Sequence, residues 1–136
     1  MLRIFIILIF SCLLGCKQVN YTTNKEFFSY AAMWGIKPET DTQLYALFPA
    51  NQCTKCFTIH NTNPALTHQV TIIHALNKEM FSGFQSMYYD STNTLQTLQL
   101  VNYANTFVVV KNKNIVAISP ITDFFPQADS LLAVYP

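Results

Sequence analysis

Charge is what this sequence has least of. Eight basic and seven acidic side chains stand among 136 residues, for a formal net charge of +1. No basic surplus exists to neutralise nucleic-acid phosphates, so nucleic acid is excluded as a partner on electrostatic grounds. Low charge does not mean disorder here, because 51% of the residues are hydrophobic. That composition predicts one packed core in a chain with room for a single domain. A long apolar run is also missing: residues 4–16 fall short of the roughly 18 to 20 needed to span a bilayer. No internal repeat or low-complexity tract occurs. Cysteine is sparse, with four in all and one C-x-x-C, Cys53-Thr54-Lys55-Cys56. No second such pair is present to complete a four-cysteine zinc site.

The first residues read as a charged start, Met1-Leu2-Arg3, followed by an apolar segment, the pattern of an export signal. That segment ends in Leu13-Leu14-Gly15-Cys16, which resembles the lipobox of bacterial lipoproteins. The resemblance implies cleavage before Cys16, a diacylglycerol on its thiol, and an anchor in the cell envelope. Lys17 follows where an inner-membrane retention Asp often stands, which points to a periplasm-facing outer-membrane anchor. The expected organisation is a signal over residues 1–15, a lipidated tether over 16–24 and one domain over 25–136. Cleavage removes Arg3 and leaves seven lysines against seven acids. Acyl chains, rather than a basic patch, then hold the protein to the membrane.

Processing also changes the cysteine count. Cys12 leaves with the signal and Cys16 is consumed by lipid, so Cys53 and Cys56 remain as the sole pair in an oxidising compartment. A redox pair, half of a metal site and a structural disulfide all fit the bare motif. A bridge between them closes too small a loop to restrict the unfolded chain much, which argues against a purely stabilising role.

Around the pair the pattern alternates. Residues 25–35 space Phe27, Phe28, Ala31, Ala32 and Trp34 helically before Gly35. Residues 43–49 and 68–76 are apolar strands. Between them the helix expected after the cysteines is weak, carrying β-branched residues and interrupted by Pro64. Residues 77–85 suggest a helical turn or two broken by Gly83, residues 86–90 a short strand, and residues 91–103 a helix with Leu95, Leu98 and Val101 three apart. A hairpin joins strands 107–110 and 115–119, with Asn to supply the positive φ of its turn. A terminal helix covers 123–135, or starts only after Pro126. The fold class is α/β with a mixed sheet.

Two stretches resemble the thioredoxin-like superfamily over roughly residues 43–135. "YALFPANQCTKC" is similar to that family's strand leading into its redox motif, and "NTFVVVKNKNIV" is similar to its hairpin. The resemblance implies a central mixed β-sheet flanked by helices and a thiol-disulfide oxidoreductase that needs no cofactor. Cys53 would be the nucleophile at a helix N-terminus and Cys56 the resolving thiol, and Lys55 adds a cation that favours the thiolate. The partner would be a protein thiol or disulfide, bound in a groove at Asn105 and Thr106.

This chain departs from the family pattern at several positions. Gln52 stands for the usual Trp. Asn105 stands for the cis-proline, and since a cis non-proline bond costs about 2.5–4 kcal/mol a trans bond is expected. Leu47 replaces a buried acid and Ile59 a Glu. His60, with an ordinary pKa near ~6.5, is the candidate substitute acid or base, against its reading as a surface histidine on a helix. His68 and His74 border a strand, where packing or exposure is expected. Two alternatives remain: a thioredoxin-fold binding module, and a zinc or copper site of Cys53, Cys56 and His60 completed by His68 or His74.

Overall fold

In the computed structural model, which describes residues 21–37, 39–50, 58–101 and 104–136, β-branched and aromatic runs build a five-stranded sheet. The strands are β1 (Gln43–Phe48), β3 (Val70–His74), β5 (Ser86–Tyr89), β6 (Thr106–Lys111) and β7 (Asn114–Pro120). Their spatial order is β5-β3-β1-β6-β7. β3 runs parallel to β1 and to β5, β6 runs antiparallel to β1, and β7 returns antiparallel to β6. β2 (Ile59–His60) and β4 (Phe81–Ser82) form a separate parallel pair. Among the described residues three α-helices accompany the strands: α1 (Tyr21–Ala31), α2 (Pro64–Gln69) and α3 (Phe124–Val134). The chain is therefore mixed α/β, with a mixed sheet flanked by helices.

β1 is central because nearly every residue in it is apolar. Leu44 to Phe48 are all buried, as a strand covered on both faces requires. The period of two then sorts the core into layers. Leu44, Ala46 and Phe48 pack with Ile72, Phe107, Leu66 of α2 and Phe124 of α3. Tyr45 and Leu47 face the other way, against Phe27 and Tyr30 of α1 and Leu95. Phe124 is central to the first layer, its ring 5.1 Å from Phe107 and 5.7 Å from Phe84.

Several sequence expectations change in the structure. α1 opens at Tyr21, so residues 21–24, read as tether, are helical. Asn24 explains the docking: its Oδ1 accepts the Ile115 N–H at 2.7 Å. A 3-10 turn, Ala32–Trp34, follows α1, and Gly35 stops it as expected, its φ of 70° letting its N–H reach the Ala32 carbonyl.

No helix runs through residues 58–63. Ile59 and His60 are extended beside Phe81 and Ser82, in keeping with the β-branched bulk of that stretch. Pro64 opens α2 instead of interrupting a helix. It occupies the first helical position, where no N–H is needed, and Asn63 caps the Ala65 N–H.

Of the α-helix expected over 91–103, the described residues 91–101 hold instead a 3-10 turn, Thr94–Thr97, and successive i to i+3 bonds. Leu98 N–H reaches Leu95, Val101 N–H reaches Leu98 and Ala104 N–H reaches Val101. Leu95, Leu98 and Val101 are all buried, although only Leu95 lies within the 3-10 turn and Leu98 beyond it is extended. Residues 77–85 hold a 3-10 turn, Lys78–Met80, and then β4.

The hairpin forms as expected, one residue longer at each strand end. Asn112 supplies a φ of 51°, and Lys113 joins it at 63°, a two-residue turn of the kind that matches strand twist. α3 starts at Phe124, not after Pro126, which sits in the first turn where a missing N–H costs nothing.

Candidate functional site

The expectations for Cys53 and Cys56, with Gln52 and Lys55, fall in residues 51–57 and lie outside the described residues, as does Cys16. Both flanks of the cysteine stretch are described, and both are fastened. β1, β3, β5 and β7 all end, and β6 begins, at one end of the sheet. In open α/β sheets ligands gather beyond the carboxyl ends of the strands. Here that end carries Ala50, His74, Asp90, Asn105 and Thr106.

On the upstream flank, Phe48 accepts the Ala75 N–H at 2.9 Å. Two residues on, the Ala50 N–H donates to Asn93 Oδ1 at 3.1 Å. Asn93 belongs to a turn built around Asp90, which is buried. The Asp90 carboxylate accepts the Tyr30 hydroxyl at 2.9 Å, the Leu95 N–H at 2.7 Å and the Thr92 hydroxyl at 3.1 Å. Burial first, then the bond to Asp90, pushes the Tyr30 phenol well above its ordinary pKa.

Downstream, Asn61 is the fastening. Its N–H donates to the Ser82 carbonyl at 2.9 Å. Its side chain donates to the Gly83 carbonyl at 3.0 Å and Thr67 Oγ1 at 3.2 Å, and accepts the Asn63 N–H at 2.9 Å. Asn61 is buried, so these bonds satisfy an amide that would otherwise be costly to enclose.

The histidines are kept apart in role. His60 is exposed on β2, not on a helix, and its Nδ1 shares a hydrogen bond with Ser82 Oγ at 2.6 Å. His68 is exposed at the end of α2, bonded through Nδ1 to Gln85 Oε1. His74 packs at the end of β3, as strand-end packing predicts. It is 2% exposed, with Phe81 and Tyr89 against its ring. Its Nδ1–H donates to the Leu76 carbonyl at 2.8 Å, which fixes the tautomer. Among the described residues no three His, Cys, Asp or Glu side chains gather closely enough to hold a metal.

Burial lowers the pKa of His74, against a smaller raising effect from the Leu76 carbonyl. The unfolded chain therefore takes up a proton at a pH where the folded chain does not. Stability is full above the ordinary value of about 6.5 and falls as pH drops through it toward the folded pKa. Urea midpoints are expected to fall between about pH 7.5 and pH 5.5, and to fall less in His74→Gln. Equal slopes for the two proteins would contradict this assignment.

Asn105 and Thr106 stand together at the start of β6. Thr106 is buried, and its hydroxyl donates to the Ala104 carbonyl at 3.0 Å. Asn105 is joined by a trans peptide bond, and its carbonyl accepts the Ile121 N–H at 2.9 Å. Its Oδ1 is buried without a hydrogen-bond partner. A groove of about 430 Å³ opens at the same end, lined by Ala75, Leu76, Asn77, Lys78 and Tyr89.

Sequence reasoning missed Asp90, Asn93 and Asn61. The run Asp90-Ser91-Thr92-Asn93 carried a signal, since Asp and Asn side chains bond their own backbone in turns. No comparable signal marked Asn61, whose partners are set by tertiary contact. Among the described residues no helix is long and apolar enough to cross a membrane. Compared with models of known protein families, with curated proteins and with solved structures, the chain matches none.

Proposed function

We propose that this chain is a thioredoxin-like thiol-disulfide oxidoreductase, lipid-anchored through Cys16 in a bacterial envelope, with Cys53 attacking and Cys56 resolving. One observation carries the reading. The C-x-x-C follows directly on the carboxyl end of the central strand β1, which has β3 parallel on one side and the antiparallel β6–β7 hairpin on the other. A central strand leading into the motif, with a parallel neighbour and an antiparallel hairpin beside it, supports the thioredoxin-like reading. Supporting it, the chain is hydrogen-bonded both before the cysteines, at Ala50, and after them, at Asn61.

In the reaction the Cys53 thiolate attacks a sulfur of the partner's disulfide, forming a mixed disulfide and releasing one partner thiolate. The Cys56 thiolate then attacks Cys53 Sγ, closing the intramolecular disulfide and releasing the second partner thiolate. The partner gains two electrons and the protein loses two. Lys55, between the cysteines in sequence, favours the thiolate form.

The test uses the reduced full chain in detergent with oxidised glutathione, each cysteine being read by peptide mass. Wild type is expected to form the Cys53/Cys56 disulfide. Cys56→Ser should stop at a glutathione adduct on Cys53, and Cys53→Ser should form no internal bridge. Absence of the adduct in Cys56→Ser would sink the proposal, and stoichiometric zinc on the reduced protein would favour a metal site instead.

A further inference from the structure

The five-stranded sheet ends in β5 on one side and β7 on the other, and the two edges are not alike. On β7 the Ile115 N–H is already taken by Asn24 Oδ1 at 2.7 Å, and the strand ends in Pro120. Such devices keep an edge from pairing with another chain. β5 has none of them: Ser86-Met87-Tyr88-Tyr89 carries neither charge nor proline. Met87 and Tyr89, on one face of the strand, are 39% and 58% exposed. Among the described residues nothing pairs with the far side of β5.

The backbone of β5 specifies what fits there. The Asp90 N–H donates to the His74 carbonyl at 2.8 Å, and the parallel register sets His74 beside Tyr89 and Ile72 beside Met87. Alternate residues of a strand turn their N–H and C=O to the same side. Tyr88 therefore faces β3 as Asp90 does, while Met87 and Tyr89 present their backbone groups to the open edge. Two residues before Met87, the Gln85 N–H is spent on the Thr67 carbonyl.

We propose that β5 is a homodimer interface, pairing antiparallel with β5 of a second copy about a two-fold axis at Tyr88. In that register Met87 lies opposite Tyr89 of the second copy, and each such pair exchanges both backbone bonds, which uses every outward group of the strand. A register centred on Met87 calls on Gln85, whose N–H is taken, and one centred on Tyr89 calls on Ser91, already in the turn. Any extended strand meets the backbone groups; a second copy matches the side chains as well. The Met87 sulfur meets the Tyr89 ring, a favourable contact, and Tyr88 meets its twin across the axis. Because the strand is uncharged, self-pairing sets no like charges opposite each other. The two-fold closes the contact, so association stops at two.

The test is sedimentation equilibrium of the full chain in density-matched detergent, with disulfide trapping to read the register. Wild type is expected to reach a dimer's mass as its concentration rises to about 100 μM. Tyr89→Lys, an edge lysine of the kind that guards natural sheets, should need about tenfold more protein or beyond to do so. Oxidised by glutathione disulfide, Tyr88→Cys should link residue 88 of one copy to residue 88 of the other. A non-hydrogen-bonded antiparallel pair holds its Cα atoms about 4.5 Å apart, within a disulfide's reach. Ser86→Cys, on the same face as Tyr88, should not link to itself, and urea transitions establish that each variant is folded.

A wild type that stays monomeric over this range overturns the proposal and leaves the edge to a strand of another protein. A mass that keeps growing past two overturns it as well. Equal links at 86 and 88 would mark chance collision within a micelle and count against it in the same way.

Discussion

Gly83→Ala is expected to cost at least about 4 kcal/mol, a large share of the roughly 5–15 kcal/mol that holds a typical domain together. Gly83 has a φ of +79°, and a Cβ built there would lie 2.1 Å from the Asn61 carbonyl oxygen and 3.2 Å from the Asn61 Cβ. The first contact is with backbone, so no rotamer change relieves it. Ala would carry the left-handed penalty of about 1–2 kcal/mol. It must also push Asn61 away from β4, loosening the bonds to the Ser82 and Gly83 carbonyls, with net losses of about 1 kcal/mol each and more where a buried group is left unsatisfied.

Fluorescence of the single tryptophan, Trp34, whose ring lies 4.7 Å from Tyr30, reports the urea transition. A midpoint matching wild type would refute the argument. If the strain is absorbed by residues 58–61 peeling from β4, it appears as faster hydrogen exchange at the Asn61 amide, because local opening is then cheaper than global unfolding.

That latch illustrates what the sequence could and could not carry. Strands β1, β3, β6 and β7 were legible because each is an uninterrupted apolar or alternating run with turn residues at its ends. The hairpin turn was legible because Asn tolerates positive φ. Gly83 was legible only as a breaker; that it makes room for the carbonyl of a residue 22 positions away depends on β2 pairing with β4, which no local pattern encodes. Residues 91–103 failed differently. A three-residue hydrophobic spacing serves the α and the 3-10 period alike over so short a stretch, and what decided between them was Asp90 capturing the Leu95 N–H. The cysteines were the plainest motif in the chain, yet the residues that brace their flanks, Asn61 and Asn93, come from hydrogen bonds made across the fold.

Replacing Asp90 by Ala is expected to destabilise the protein by about 3–5 kcal/mol. The carboxylate accepts three donors, and two of them, the Tyr30 hydroxyl and the Leu95 N–H, sit on residues that are 3% and 0% exposed. Each buried donor left without an acceptor costs about 1–3 kcal/mol, and bonds to a charged acceptor are the stronger ones. Thr92 adds little, since its hydroxyl lies 2.8 Å from Thr94 Oγ1 and can turn to it. Asp90→Asn retains one oxygen able to serve Tyr30 and Leu95 and presents its amide to Thr92, so its loss should be nearer 1–2 kcal/mol. Tyr30→Phe removes a donor and leaves the carboxylate its two other partners, a similarly small effect. The ordering Ala, then Asn and Phe, measured by urea denaturation, distinguishes an acceptor for buried donors from a residue that matters through its charge. If charge were the main contribution, Asn would fall as far as Ala.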